Sequence, residues 1–140
     1  MANENSRSGR CHCGAIKFET ISSPSMVEYC HCNTCRKLHG SAVSTLVGFS
    51  REKFKIEQGS PIRYESSLGV YRSFCGNCGT RLFWESDTHN HEIYISLGAF
   101  DSPDSLPADC HVWTSNRLSW LEILDDLPQY PEFKKNETGD

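Results

Sequence analysis

Seven of the chain's eight cysteines fall into three tight clusters. They read Cys11-His12-Cys13, then Cys30-His31-Cys32-Asn33-Thr34-Cys35, then Cys75-Gly76-Asn77-Cys78. Zinc takes four thiolate or imidazole ligands in a tetrahedron when it is structural, and three plus an exchangeable position when it is catalytic. Two plus two ligands close one site from Cys11, Cys13, Cys75 and Cys78. The triplet Cys30, Cys32 and Cys35 then stands one ligand short. Three thiolates spend the charge of a divalent zinc, so such a centre is a poor activator of water. It is better suited to holding one further soft ligand, such as a substrate thiol. Arg36 and Lys37 follow the triplet directly and are placed to offset its negative charge or to hold an anionic substrate. Cys11 and Cys13 could instead pair with two cysteines of the triplet, but that would leave Cys75 and Cys78 without partners. Two other arrangements remain open at this level. A fourth protein ligand (His31, His39, Cys110 or His111) would close the triplet and make it structural. An even cysteine count also allows a disulfide framework.

The elements that must carry these ligands read mainly as strands. Ala15–Thr20 alternates, with Ile16 and Phe18 on one face and Lys17 and Glu19 on the other, the mark of a half-buried strand. Met26–Cys30, Ala42–Phe49, Phe54–Glu57, Ile62–Glu65, Val70–Phe74, Thr80–Trp84 and Glu92–Leu97 read the same way. Cys11 and Cys13, two apart, would share one face of a strand. Thr34–His39 predicts a short helical turn stopped by Gly40. Many short strands with frequent turns predict a mainly β, antiparallel domain. Most aromatic residues, among them Phe49, Phe83, Trp84 and Trp113, are expected in its core. The expected organisation is a flexible lead over residues 1–9, a single zinc domain over 10–133 and a polar tail over 134–140.

Composition narrows the function classes. A formal charge of −4 disfavours nucleic acid as a partner. No run of about 20 apolar residues is present, so no membrane span is expected. The polar start does not read as a secretory signal, and clustered cysteines without one point to a reducing, cytoplasmic setting. No glycine-rich phosphate loop or serine nucleophile elbow is seen.

The three clusters in this order, with Gly9-Arg10 before the first, Arg36-Lys37 after the second and Arg72-Ser73-Phe74 before the third, resemble one family. It is the glutathione-dependent formaldehyde-activating enzyme and centromere protein V family. Gly98-Ala99-Phe100-Asp101, His111-Val112-Trp113 and Leu127-Pro128-Gln129-Tyr130 extend the likeness over nearly the whole chain. The resemblance implies a small zinc-bearing β-tent with two zinc ions. A structural ion would sit at Cys11, Cys13, Cys75 and Cys78, and a catalytic one at Cys30, Cys32 and Cys35. It also implies carbon-sulfur lyase chemistry on a thiol-aldehyde adduct, with glutathione as the thiol and formaldehyde as the aldehyde. The alternative reading is a non-catalytic zinc scaffold that binds another protein.

Overall fold

The computed structural model describes residues 6–133. The chain is mainly β, with ten strands in two sheets and one α-helix among those residues. The expected tail, residues 134–140, and the first five residues of the lead lie outside them. Strands β1 (Arg7–Arg10), β2 (Lys17–Thr20) and β5 (Phe54–Gln58) form a three-stranded antiparallel sheet in the order β1-β2-β5. The larger sheet has the order β10-β3-β4-β9-β8-β7-β6. Its members are β3 (Met26–Cys30), β4 (Ser44–Ser50), β6 (Ile62–Ser67), β7 (Val70–Phe74), β8 (Arg81–Ser86), β9 (Glu92–Ser96) and β10 (Cys110–Val112). Every pairing is antiparallel except β10 with β3.

Two elements were not anticipated. β1 begins inside the segment expected as lead, because its polar side chains face outward while its backbone pairs with β2. β10 has only three residues, too few for alternation to register, and its parallel pairing with β3 is a long-range effect.

The register of the large sheet separates two faces. On one face Val27 pairs with Val47, Val47 with Ile95 and Ile95 with Phe83, a row of apolar side chains across four strands. This row packs on Phe18 of the small sheet and on Ile16 just before β2, and forms the main core. Phe18 meets Phe83 and Phe100 edge-on, with ring centroids 5.5 and 5.2 Å apart. Each such fully buried side chain contributes roughly 1.5–3 kcal/mol. The opposite face carries a different row: Met26, Gly48, Tyr94, Trp84, Arg72 and Tyr64 lie side by side on six neighbouring strands. Gly48 is needed there, since a Cβ would stand 2.7 Å from Ser25 Oγ and 2.9 Å from the Tyr94 ring.

The first strand reaches the core through Gly9. A Cβ at this position would stand 2.3 Å from Phe18 Cζ and 2.5 Å from the Ala99 carbonyl oxygen. The latter is backbone and cannot swing away. Gly9→Ala is therefore expected to cost roughly 1–3 kcal/mol of stability, the range for overpacking, measured by urea unfolding. An unchanged midpoint would show that β1 is not held against the core as described.

Candidate metal centres and the cavity beside them

The first centre is built by two knuckles. Cys11 and Cys13 do not lie in a strand, contrary to the sequence reading. β1 ends at Arg10, and the chain turns back so that Gly14 N–H donates to the Cys11 carbonyl at 3.1 Å, with Gly14 at φ +82°. The second knuckle repeats this logic between β7 and β8. Gly79 N–H donates to the Cys75 carbonyl at 2.8 Å, and Gly79 also has φ +82°. Left-handed glycines let each backbone curl around its own sulfurs. The sulfurs of Cys11, Cys13, Cys75 and Cys78 all lie within 4.8 Å of one another. Backbone and amide donors point at them: Ile16 N–H to Cys11 Sγ at 3.3 Å, Asn77 N–H to Cys75 Sγ at 3.4 Å and Asn77 Nδ2 to Cys13 Sγ at 3.2 Å. The Asn77 amide, first among several donors, pulls the pKa of Cys13 below the usual thiol range. The Thr80 hydroxyl, first among several donors, brings Cys78 down to about 5.

The second centre sits at the end of β3 and the start of helix α1 (Asn33–His39). Cys30 is the last residue of β3, Cys32 caps the helix and Cys35 lies in its first turn. The sulfurs again lie within 4.8 Å of one another, with Cys30 and Cys35 3.4 Å apart. Cys32 Sγ accepts the Cys35 N–H at 3.2 Å. Gly40, at φ +68°, ends the helix as expected. The Cys30 and Cys35 thiols push Cys32 down to about 2, while hydrogen bonds with Cys32 and Cys35 push Cys30 far up, so the cluster holds its negative charge on Cys32 first.

Both donor sets fit a thiophilic metal. Zinc–sulfur bonds of about 2.3 Å in a tetrahedron place sulfurs about 3.8 Å apart. Cys11 and Cys13 are 3.6 Å apart, and Cys13 and Cys75 are 3.8 Å apart. All eight cysteines are free thiols, which sets the disulfide framework aside. The two clusters do not exchange members. Among the described residues no fourth Cys, His, Asp or Glu joins the triplet's group, so His31, His39, Cys110 and His111 do not complete it.

His31 and His111 have another place. His31 Nε2 and His111 Nδ1 are 2.9 Å apart, and His111 Nε2 meets the Asp125 carboxylate at 2.9 Å. Both rings are buried. This chain ties the residue between two triplet cysteines to the C-terminal strap, which also pairs by backbone through His111 N–H to the Pro128 carbonyl and Tyr130 N–H to the His111 carbonyl. Asp101 latches the start of the chain, accepting from the Ser8 hydroxyl at 2.9 Å.

A cavity of about 460 Å³ opens on the triplet. Alternate residues of five neighbouring strands line it: Met26 and Glu28 before Cys30 on β3, Leu46 on β4, Glu92 and Tyr94 on β9, Trp84 and Ser86 on β8, and Val70 and Arg72 on β7. Trp113 and Phe133 form one lip, their rings edge to face at 5.2 Å. Trp113 adopts φ +58°, a left-handed conformation that is strained for a non-glycine residue. Trp84 and Trp113 thus line the cavity and are not core residues, unlike the sequence expectation.

The cation at the triplet is Arg72, not Arg36 or Lys37. Arg72 is buried, and its Nη1 donates to Cys35 Sγ at 3.3 Å while Nε donates to Ser66 Oγ at 3.0 Å. Arg36 and Lys37, on α1, do not line the cavity. Glu28 was also missed. It is only 8% exposed, and burial, together with the negative charges of Glu92 and Cys32, pushes its carboxyl up to about 7. An arginine and a glutamate inside otherwise alternating strands were the available signals, because each sits where alternation calls for an inward side chain.

Residues 6–116 match the family described as glutathione-dependent formaldehyde-activating enzyme. A Schizosaccharomyces pombe protein described as an uncharacterized lyase is 29% identical over 127 residues, covering 89% of this chain and 83% of that protein. A crystal structure of a Rhodobacter sphaeroides protein is similar in fold, with a TM-score of 0.57 at 17% identity. The match covers 87% of this chain and 98% of that one.

Two predictions follow from the centres. Cys75→Ser is expected to lose one bound metal and to lower the melting temperature strongly, since that centre joins segments 62 residues apart. Cys32→Ser is expected to lose the other metal with a smaller stability change, since the triplet spans a local turn. Metal analysis and thermal melts of both variants check this, and equal destabilisation would mean that the centres do not divide these roles.

Glu28 gives a pH prediction. Its carboxyl is raised from 4.5 to about 7 in the folded chain. The folded state therefore holds a proton that the unfolded state releases between those values. This contribution is fully present below about 4.5 and is lost as pH rises through 7. Glu28→Gln should remove it, making the variant relatively more stable than the parent at pH 8 than at pH 5, by about 3 kcal/mol at most. Urea titrations of both proteins at the two pH values measure the difference.

Proposed function

The chain belongs to the glutathione-dependent formaldehyde-activating enzyme family, and from that premise we propose that it is a zinc-dependent carbon-sulfur lyase-type enzyme acting on a thiol-aldehyde adduct. S-hydroxymethylglutathione, the adduct of the pair named in the family's description, is the reference substrate. The observation that carries this reading is the cavity opening directly on a cluster of three cysteines that no fourth described ligand joins. The lyase description of the fission yeast relative supports the same reaction class. Cys11, Cys13, Cys75 and Cys78 would hold a structural zinc, and Cys30, Cys32 and Cys35 a catalytic one.

When bound by three thiolates, zinc supplies a soft position that keeps an incoming sulfur as thiolate at neutral pH. The chain's own residues do the rest. Cys30, Cys32 and Cys35 are held in register by β3 and by the first turn of α1, so the donor set is formed before substrate arrives. Arg72 offsets the charge gathered on the sulfurs through its contact with Cys35. The aromatic walls, Trp84, Tyr94 and Trp113, enclose the adduct and limit water. In cleavage the adduct R–S–CH2–OH loses its hydroxyl proton and its carbon-sulfur bond breaks. The electron pair stays on sulfur and formaldehyde departs. Glu28, with its carboxyl near 7, has the acidity to take that proton and return it in the synthetic direction. Alignment of thiolate and carbonyl in a closed site is worth several powers of ten in rate, enough for a reaction that already proceeds in water.

The test is exchange NMR of labelled formaldehyde with its thiol adduct, with and without the metal-loaded protein. Acceleration by the parent and none by Cys32→Ser supports the reading. No acceleration with any thiol, together with a metal at the triplet that resists chelators as firmly as the four-cysteine centre, would favour the scaffold alternative.

A further inference from the structure

The cavity's charge pattern departs from what glutathione would need, and this bears on the thiol. Glutathione carries two carboxylates and one ammonium, so a site selective for it should offer free cations. Among the described residues lining the cavity, only Arg72 and His89 can carry positive charge. Arg72 is buried and already committed to Cys35 and Ser66. The wall carries two carboxylates instead, Glu28 and Glu92. Glu28 stands on β3 and Glu92 on β9, both on the cavity face of the large sheet. Glu92 is held in place by the Ser25 hydroxyl, which donates to Oε2 at 2.6 Å, and by His91 Nε2, 3.6 Å from Oε1.

The rest of the wall is aromatic. Trp84 and Tyr94 stand edge to face at 5.7 Å on adjacent strands, and Trp113 and Phe133 close the far lip. Aromatic faces beside carboxylates are the chemistry that recognises an ammonium group, by attraction to the ring quadrupole and by Coulomb pairing. A second carboxylate on the ligand would meet the same walls as a repelled charge.

Resting on the thiol-adduct reading above, we propose that this cavity selects an aminothiol: a thiol that places its sulfur at Cys30, Cys32 and Cys35 and its ammonium at Glu92 and the Trp84–Tyr94 pair. Glutathione is then a poor ligand of this chain. The selectivity comes from the Glu92 carboxylate on β9, which lies on the same strand face as Tyr94. In the reaction the aminothiol adduct takes the place of the glutathione adduct, with the same bond made and broken.

The experiment is calorimetric binding of four thiols to the metal-loaded protein at neutral pH. They are 2-aminoethanethiol, the neutral 2-mercaptoethanol, 3-mercaptopropionate and glutathione. The aminothiol is expected to bind about tenfold tighter than the neutral thiol, or about 1.4 kcal/mol, and the two carboxylate-bearing thiols more weakly than the neutral one. Glu92→Gln, which keeps the Ser25 contact possible and touches no cysteine, should shrink the aminothiol advantage severalfold while leaving 2-mercaptoethanol binding unchanged. Metal content of the variant controls for damage to the centre. Glutathione binding as tightly as 2-aminoethanethiol would overturn this proposal and leave the lyase reading standing. An aminothiol advantage that survives Glu92→Gln intact would also overturn it. Binding of no thiol at all would remove both readings.

Discussion

The constraint on which the rest of the structure depends is the joining of two sulfur knuckles 62 residues apart. Closing a loop of that length costs about 4 kcal/mol beyond a constant. Structural zinc in zinc-finger peptides is worth about 10–16 kcal/mol, so a zinc ion held by Cys11, Cys13, Cys75 and Cys78 would carry that cost with much to spare. The consequence is geometric. The knuckle after β1 belongs to the small sheet and the knuckle after β7 to the large one. Tying them together fixes how the sheets meet, and Phe18 then lands against Phe83 and Phe100. The aromatic core and the metal centre enforce the same arrangement from two sides.

With one face of the large sheet committed to that core, its other face is free to build a site. Antiparallel pairing puts alternate residues of neighbouring strands in rows, and a row here reads Met26, Gly48, Tyr94, Trp84, Arg72. A core would not contain an arginine in such a row, nor a glutamate one position along β3. Both are stable because the row lines a cavity and because Arg72 meets sulfur that carries negative charge. A neutral residue at 72 would leave the buried Cys35 sulfur without the guanidinium that donates to it.

How much of this was legible in the sequence depends on the range of the interaction that decides it. The strands β3 and β7 and the stop at Gly40 were readable because alternation and a left-handed glycine are local signals. The partition of seven cysteines into four and three was readable because ligand number is a chemical constraint that needs no coordinates. The knuckle at Cys11 was misread as strand, since a CxC step satisfies either geometry and only the hydrogen bond from Gly14 decides. The three-residue strand β10 and the cationic role of Arg72 rest on contacts with segments 37 to 84 residues away. Trp84 and Trp113 were assigned to the core because an aromatic ring has the same periodic signature whether it faces packing or an open cavity.

The C-terminal strap shows how the two halves of the site are brought to one register. Residues after β10 form no sheet of their own, yet Asp125, Pro128 and Tyr130 all bond to His111. His111 in turn meets His31, which stands between Cys30 and Cys32. A side chain flanked by two ligands cannot shift without moving both. Holding its ring from behind therefore holds the sulfurs in front. Burial and the neighbouring His111 push His31 toward its neutral form, so this tether adds no second positive charge beside Arg72. The strap also brings Phe133 to the cavity lip beside Trp113. One segment thus positions the sulfur cluster at its start and the aromatic wall at its end. A stretch with almost no regular secondary structure is held by backbone bonds to β10 and to Trp113, Thr114 and Ser115 just after it, while Phe133 lines the site.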